Sequence, residues 1–185
     1  MRAVFLDRDG VINEYPGDFQ YVKSWKEFQF LPRSKAALKR LTDNNIALFI
    51  ASNQAGVSKN IYSKSELDLI TQNMLKELKS ENIRIEDVFY CIHIEEDKCN
   101  CRKPKTGLVE QGLSKLKSLG EPVDLNKSYF VGDSIRDVET GKAAGLKTIL
   151  VLSGREKLKN MANWKIQPDF VCADLSEATD IILKK

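Results

Sequence analysis

The fold is decided by the stretch Ala3-Val-Phe-Leu-Asp7-Arg8-Asp9-Gly10-Val11, close to the start of the chain. Its apolar residues predict a buried strand, and Gly10 predicts an abrupt turn after it. The strand therefore ends by presenting two carboxylates, Asp7 and Asp9, at the edge where open parallel sheets bind their ligands. Because carboxylates this close repel one another, the pair indicates a bound divalent cation or a shared proton. A surface turn rich in Asp and Gly is the alternative interpretation.

The composition is that of an ordinary globular protein, with 42% hydrophobic and 30% charged residues. The length of 185 residues predicts a single domain, residues 1–185. A net charge of +3 is too weak a bias to argue for nucleic acid, although it allows a local basic pocket. No apolar run is long enough to span a membrane, and a strand at the N-terminus leaves no room for a signal peptide. We therefore expect a cytoplasmic protein.

Apolar runs alternate with apolar residues at helical spacing along the rest of the chain. Strands are predicted at residues 46–51, 88–92, 128–131, 147–152 and 169–171. Helices are predicted at 32–44, 106–119 and 135–144, after the capping box Ser63-x-x-Glu66, and from Asp174 to Lys184-Lys185. This alternation predicts an α/β fold, a Rossmann-like three-layer sandwich with a central parallel sheet. The intervals after Gly10 and Ser52 are too short for a large cap domain.

Polar residues follow the predicted strands and should converge at one edge of the sheet. Ser52 and Asn53 follow the second strand, and Asp133 follows the fourth. With Asp7 they suit phosphoryl transfer to a carboxylate, in which Lys103 and a metal neutralise the phosphoryl oxygens. Asp137, one helical turn after Asp133, offers further oxygen ligands for Mg²⁺.

Each of these residues also has a plain structural interpretation. Asp133 could cap the following helix, and Asp137 could lie on a solvated helix face. Lys103 could be a surface lysine, and Ser52 a turn residue. The joint order of the residues at strand ends favours the catalytic interpretation.

On these motifs the chain resembles the haloacid dehalogenase superfamily of phosphohydrolases over essentially its whole length. The resemblance implies that Asp7 is the nucleophile that forms an aspartyl-phosphate, and that Asp9 acts as acid and then as base. It implies that Mg²⁺ is held by Asp7, the main-chain carbonyl of Asp9 and Asp133. Ser52 and Lys103 would stabilise the phosphoryl group. Asp at position 9 favours a phosphatase over a dehalogenase, since an ester leaving group needs a proton and a halide does not.

A second motif, Cys91-x-His93-x5-Cys99-x-Cys101, contains the only histidine and three of the four cysteines. Four such ligands in one short loop, residues 91–101, predict a closed tetrahedral Zn²⁺ site with a structural role. Coincidental thiols are the alternative, which this clustering disfavours. The loop runs into Arg102-Lys103-Pro104, so its function would be to hold those basic residues at the site. Cys172, outside the motif, is predicted to be a buried core residue.

The zinc loop narrows the resemblance to the branch that contains heptose-1,7-bisphosphate phosphatases and histidinol phosphatases. The segment from Tyr21-Val22 to Phe28-Gln-Phe30 is similar to the heptose enzymes' substrate loop, whereas Asp18-Phe19-Gln20 is similar to histidinol phosphatases. The resemblance implies that Asn53 and Arg102 contact the sugar or a remote phosphate. Arg136 is a further candidate, although an exposed helix-face arginine is the favoured interpretation. Members of this type are typically monomers.

The sequence therefore predicts a Mg²⁺-dependent phosphatase of a small phosphorylated sugar, with the 7-phosphate of D-glycero-D-manno-heptose 1,7-bisphosphate as the leading candidate. Histidinol phosphate is the first alternative. A polynucleotide 3'-phosphatase is a weaker one, because the chain lacks an aromatic and basic stripe. A catalytically dead zinc-bearing interaction module is disfavoured because Asp7, Asp9, Lys103 and Asp133 are all intact.

Overall fold

The computed structural model describes residues 1–184, and a six-stranded sheet runs through them. Its strands are β1 Ala3–Leu6, β2 Ala47–Asn53, β3 Asp87–Cys91, β4 Tyr129–Gly132, β5 Lys147–Val151 and β6 Phe170–Cys172. All neighbouring strands are parallel, in the order β3-β2-β1-β4-β5-β6. The chain first builds outward on one side of β1 and then on the other, so the strand order reverses between β1 and β4. Such a reversal opens a crevice at the carboxyl ends of the strands.

Helices cover both faces of the sheet: α1 Ser34–Asp43, α2 Lys64–Ser80, α3 Gly107–Ser118, α4 Ile135–Ala143 and α5 Leu175–Leu183. Helices α1, α2 and α5 pack in one apolar core that includes Leu6 and Ile50, while α3 packs in a second core around Phe5 and Phe49. The rings of Phe5 and Phe49 stack with centroids 5.1 Å apart. The predicted Rossmann-like three-layer sandwich is confirmed.

Element boundaries differ from the predictions where strand pairing or packing decides them. Strand β2 continues through Ser52 and Asn53, because these residues pair with the last two residues of β3. In α3, Leu113 is half-buried and packs against the second core, and Gly112 lies against the Phe5 ring. The final helix ends at Leu183, and the predicted end at residue 185 lies outside the described residues.

Two predicted helix starts are confirmed by their hydrogen bonds. Ser63 and Glu66 form a reciprocal capping box at the start of α2. The Asp174 carboxylate accepts from the backbone N–H groups of Ser176 and Glu177 at the start of α5. Such caps satisfy backbone donors that the first turn of a helix leaves free.

The connections at the carboxyl edge of the sheet are loops, and no domain is inserted into them within residues 1–184. The longest follows β1 and contains a single 3₁₀ turn, Trp25–Glu27. It is fastened by aromatic packing: Phe28 stacks on Trp25 and meets Phe30 edge-on. Among the helices described, none has both the length and the apolar character needed to cross a bilayer.

Candidate active site

The predicted catalytic residues meet at the crevice between β1 and β4. Asp7 follows β1, Asp133 follows β4, and Ser52 lies at the end of β2. Together with Lys103 these residues line an open cavity of ≈ 370 Å³. The parallel register explains the convergence, since Leu6 pairs with Ile50 on one side and with Val131 on the other.

Three carboxylates form a cluster at this cavity, and two of them, Asp7 and Asp133, line it. Oxygens of Asp7, Asp133 and Asp137 lie within 4.8 Å of one another. Lys103 Nζ lies 2.8 Å from Asp7 Oδ2 and 2.6 Å from Asp137 Oδ1, and the lysine is 3% exposed. A buried cluster with three acidic groups and one lysine carries excess negative charge at neutral pH, and it is costly without a further cation.

The electrostatic cost appears in the pKa values of the cluster. Burial, followed by the charges of Asp7 and Asp137, holds the pKa of Asp133 well above its usual range. Burial also raises the pKa of Asp7, against the opposing effect of Lys103. Burial acts to lower the pKa of Lys103, but Asp137 and Asp7 outweigh it and raise that pKa. Like-charge repulsion and desolvation thus favour protonated carboxyls unless a cation is present.

Two glycines allow the carboxylates to approach the backbone so closely. A Cβ at Gly10, where φ is +81°, would lie 2.2 Å from Asp133 Oδ2. A Cβ at Gly132 would lie 2.1 Å from the Cβ of Asp137. A side chain at either position would displace a member of the cluster.

Asp9 lies beside the cluster, and its carboxylate is held by hydrogen-bond donors. Arg8 donates to both of its oxygens, at 2.8 Å and 3.0 Å from Nη2, while Asn13 and Gln54 each donate at 2.9 Å. Burial acts to raise the pKa of Asp9, but the Arg8 charge and these hydrogen bonds hold that pKa below its usual value. This arrangement favours the ionised form of Asp9, so Asp9 must first take up a proton if it is to act as an acid.

Asn53 and Arg102, both predicted to contact substrate, line the cavity but also make contacts within the protein. The Asn53 amide forms two hydrogen bonds with the backbone of Lys103: Nδ2 donates to its carbonyl at 3.2 Å, and Oδ1 accepts from its N–H at 3.1 Å. Arg102 Nη1 donates to the carbonyl of His93 at 3.1 Å. Arg136 is exposed on α4 and borders the same cavity.

The four residues of the Cys/His motif form a compact cluster at the end of β3. Cys91 Sγ lies 3.7 Å from His93 Nδ1 and 3.6 Å from Cys99 Sγ. Cys101 Sγ lies 3.3 Å from His93 Nδ1 and 3.5 Å from Cys99 Sγ. Ligands of a tetrahedral zinc ion at 2.3 Å from each sulfur stand about 3.8 Å apart, so this donor set fits Zn²⁺. Cys172 lies outside the cluster and is buried, as predicted.

The carboxylate cluster fits Mg²⁺ by the same kind of test. Its donors are hard oxygens, and its raised carboxyl pKa values indicate a negative charge that lacks a counterion. Asp7 and Asp133 each accept from a backbone N–H, and Asp7 Oδ2 also contacts Lys103, but both carboxylates line the cavity, where a cation can reach them. Asp137 is already committed: Oδ1 contacts Lys103, and Oδ2 accepts from the N–H and hydroxyl of Ser134. Asp137 is therefore neither the solvated helix-face residue of one interpretation nor a free ligand, but an ion-pair partner of Lys103.

Sequence reasoning missed two buried polar residues of the site. Arg8 is 0% exposed although it stands between two acidic residues in a turn. Gln54 is 2% exposed and donates to both Asp9 and Ser52, while its oxygen accepts from Tyr62. The signal for Gln54 was its position directly after a predicted strand that already carried Ser52 and Asn53.

An aspartate after the first strand, an aspartate two residues later and a lysine paired to the first aspartate define the class of haloacid dehalogenase-like hydrolases. The family described as HAD-hydrolase-like matches residues 100–178. The D-glycero-alpha-D-manno-heptose-1,7-bisphosphate 7-phosphatase of Campylobacter jejuni is 34% identical over 84% of this chain and 85% of the relative. The D-glycero-beta-D-manno-heptose-1,7-bisphosphate 7-phosphatase of Pasteurella multocida is 34% identical over 90% and 91%.

A crystal structure indicates the same family. The D,D-heptose 1,7-bisphosphate phosphatase from B. bronchiseptica, complexed with magnesium and phosphate, superimposes with a TM-score of 0.88 and 31% identity. The alignment covers 100% of this chain and 99% of that one. This chain belongs to the haloacid dehalogenase-like hydrolases, in the family of the heptose-1,7-bisphosphate 7-phosphatases.

Proposed function

We propose that this protein is a Mg²⁺-dependent phosphatase that removes the 7-phosphate of D-glycero-D-manno-heptose 1,7-bisphosphate through an aspartyl-phosphate on Asp7. The observation that carries the proposal is the ion pair between Asp7 and the buried Lys103, at the tip of β1 and within reach of Asp133. A carboxylate in this position can attack phosphorus, and the lysine beside it can neutralise a phosphoryl oxygen. The names of the relatives supply the substrate.

The chemistry takes two steps on the chain's own residues. Asp7 attacks the phosphorus as the bond to the sugar oxygen breaks, and Asp9 gives that oxygen a proton. Asp9 then takes a proton from the water that attacks the aspartyl-phosphate, which frees Asp7 and inorganic phosphate. Mg²⁺ bound by Asp7, the Asp9 carbonyl and Asp133 would neutralise charge on the phosphoryl oxygens.

Ser52 and Lys103 would stabilise the transferred phosphoryl group, Ser52 by a hydrogen bond and Lys103 by charge. Lys103 is prepared for this because Asp137 holds its ammonium group from the other side. Asn53 and Arg102 border the same cavity and would contact the sugar or the phosphate that remains. An arginine suits that phosphate because its planar fork can bind two oxygens at once.

The proposed partner is a small sugar phosphate, with no nucleic acid or membrane partner. Elements from both ends of the chain enter one sheet, which supports a single domain of residues 1–185. The proposed active unit is a monomer, which the resemblance to phosphatases of this type supports. We place the reaction in the cytoplasm because its substrate class is an intermediate of biosynthesis.

Phosphate release tests the proposal directly. The assay compares both anomers of the heptose bisphosphate with histidinol phosphate in the presence of Mg²⁺. The wild type should prefer a heptose bisphosphate, and Asp7→Asn should lower kcat by about 10⁴-fold or more because the nucleophile is gone. Asp68→Asn, a carboxylate on the surface of α2 that pairs with Lys64, is the matched control and should retain full activity.

Two other outcomes would each contradict one part of the proposal. Preference for histidinol phosphate would contradict the proposed substrate and leave the mechanism in place. Activity that survives in Asp7→Asn would contradict the mechanism itself.

A further inference from the structure

Arg8 is a buried arginine, and fold stability does not explain why an arginine occupies this position. It is 0% exposed, and its Nη1 has no hydrogen-bond partner among residues 1–184. A buried donor without a partner destabilises the folded state, and an apolar side chain of similar size would avoid that cost. We therefore look for the role of Arg8 in the contacts of its other two nitrogens, Nε and Nη2.

Those other nitrogens are directed at Asp9. Nε lies 3.1 Å from Asp9 Oδ1, and Nη2 lies 2.8 Å from Oδ1 and 3.0 Å from Oδ2. Asn13 adds a third bond to Oδ1 at 2.9 Å. Oδ1 thus receives three donors, which is more than its two lone pairs can accommodate well.

The second oxygen of Asp9 is in a different position. Oδ2 shares Nη2 with Oδ1 and receives one other bond, from Gln54 Nε2 at 2.9 Å. That amide also lies 3.2 Å from the hydroxyl of Ser52, so it has an alternative partner. Oδ2 can therefore release a donor and take up a proton, whereas Oδ1 is fully engaged.

Two aromatic rings hold the guanidinium group in place. Its Cζ lies 6.0 Å from the ring centroid of Phe28, in the loop after β1, and 5.8 Å from that of Tyr90, in β3. A planar cation between two ring faces gains cation–π energy and loses rotational freedom. The direction of the guanidinium group is therefore constrained by these two rings as well as by Asp9.

We propose that Arg8 is a positioning residue for Asp9: the clamped fork locks Oδ1 and leaves Oδ2 as the oxygen that exchanges the proton with the leaving group. This inference rests on the proposed function, because it assigns Asp9 the acid and base steps. Arg8 does not line the cavity, so it would act on the substrate only through Asp9.

The test exploits the leaving group's need for a proton. A sugar alkoxide leaves only if Asp9 protonates it, whereas 2,4-dinitrophenolate leaves as a stable anion. Single-turnover release of the leaving group measures the first step alone, so the later use of Asp9 as base does not interfere. The substrates are heptose 1,7-bisphosphate and 2,4-dinitrophenyl phosphate.

Arg8→Lys retains the charge but loses the fork. We expect the rate with the sugar phosphate to fall about 10²-fold with little change in KM, and the rate with the dinitrophenyl ester to fall about threefold or less. In an Asp9→Asn background Arg8→Lys should have no further effect on the sugar phosphate, because Arg8 acts only through Asp9. Arg84→Lys, an exposed arginine paired with Glu86, is the matched control and should behave as the wild type.

Phe28→Leu provides a second route if Arg8→Lys fails to fold. Removing one ring loosens the fork without touching Asp9, so the same preferential loss with the sugar phosphate should appear at smaller size. An equal loss with both substrates, or a further loss in the Asp9→Asn background, would overturn the inference. Failure of the wild type to release phosphate from either ester would instead contradict the proposed function.

Discussion

The carboxylate cluster and the Cys/His cluster are both suited to a metal, but they are built in different ways. The carboxylate cluster comprises Asp7, Asp133 and Asp137, which follow two central strands or lie on the helix behind them. The Cys/His cluster comprises Cys91, His93, Cys99 and Cys101, of which only Cys91 lies in a strand. The other three belong to an irregular loop and are half-buried.

The two clusters should therefore depend on their metals in opposite ways. The sheet holds the carboxylates together against their repulsion, so a cation there relieves strain but does not create the geometry. Residues 92–101 of the Cys/His loop are all exposed or half-buried, so we expect the shape of this loop to depend on the metal. This loop leads into Arg102 and Lys103. Loss of the metal from the Cys/His cluster should therefore also displace residues of the active site.

The largest effect should come from removing two ligands of the Cys/His cluster. In Cys99→Ser/Cys101→Ser the zinc content should fall to near zero, and kcat/KM should fall about 10²- to 10³-fold. The physical reason is that Lys103 loses its fixed position beside Asp7, and misplacement by about 1 Å costs on the order of 10²-fold. Metal analysis and phosphate release measure the two quantities on the same sample.

Cys172→Ser is the matched control, since Cys172 is a buried thiol outside the cluster. Zinc content and kcat/KM should both remain at the wild-type level in this variant. Full activity in the zinc-free double variant would show that the loop keeps its shape without metal, and the contrast between the two clusters would be wrong.

The next prediction concerns how the carboxylate cluster makes the stability of the protein depend on pH and on Mg²⁺. The pKa values of Asp133 and Asp7 are raised in the folded protein, so the folded state disfavours their charged forms. Their contribution to metal-free stability is present below the ordinary carboxyl pKa of about 4 and is lost as the pH rises through the raised values. Mg²⁺ binds the ionised carboxylates, so its stabilising effect should be larger at pH 8 than at pH 5.

Thermal unfolding with and without Mg²⁺ at the two pH values measures this linkage. At 100 times its dissociation constant the ion should add about 2.7 kcal/mol at pH 8. In Asp133→Asn, which removes the carboxylate with the most strongly perturbed environment, the metal-free protein should be more stable at pH 8 than the wild type, and Mg²⁺ should add little. A Mg²⁺ effect independent of pH would contradict this account.

The two clusters also differ in how much of each could be predicted from the sequence. The Cys/His cluster is local, so its ligand set could be predicted from spacing alone. Asp7 and Asp133 could be predicted because an apolar run marks each strand and the parallel sheet aligns the strand ends. The ion pair between Asp137 and Lys103 could not, because it joins a helix to a distant loop, and only the folded chain brings them to 2.6 Å.

The burial of Arg8 could not be predicted from the sequence for a related reason. An arginine between two aspartates in a turn has the pattern of a solvated residue. Its burial depends on Phe28 and Tyr90, which the loop after β1 and the pairing of β3 bring over it. The position of Ser52 and Asn53 inside β2 likewise depends on that pairing, because a strand ends where its partner ends.

The smallest effect should come from Asn53, which connects the two regions. Its side chain joins the end of β2 to the backbone of Lys103 by two hydrogen bonds. Asn53→Ala removes both, which at about 1 kcal/mol for each bond predicts a loss of about thirtyfold in kcat/KM, and zinc content should not change. If zinc alone fixed the loop, Asn53→Ala would lower kcat/KM only through the proposed substrate contact of Asn53, and the loss would be the same in the Cys99→Ser/Cys101→Ser background. If Asn53 and zinc act on the same segment, Asn53→Ala should cost less in the Cys99→Ser/Cys101→Ser background than in the wild type, because a loop already displaced has no hydrogen bonds to lose.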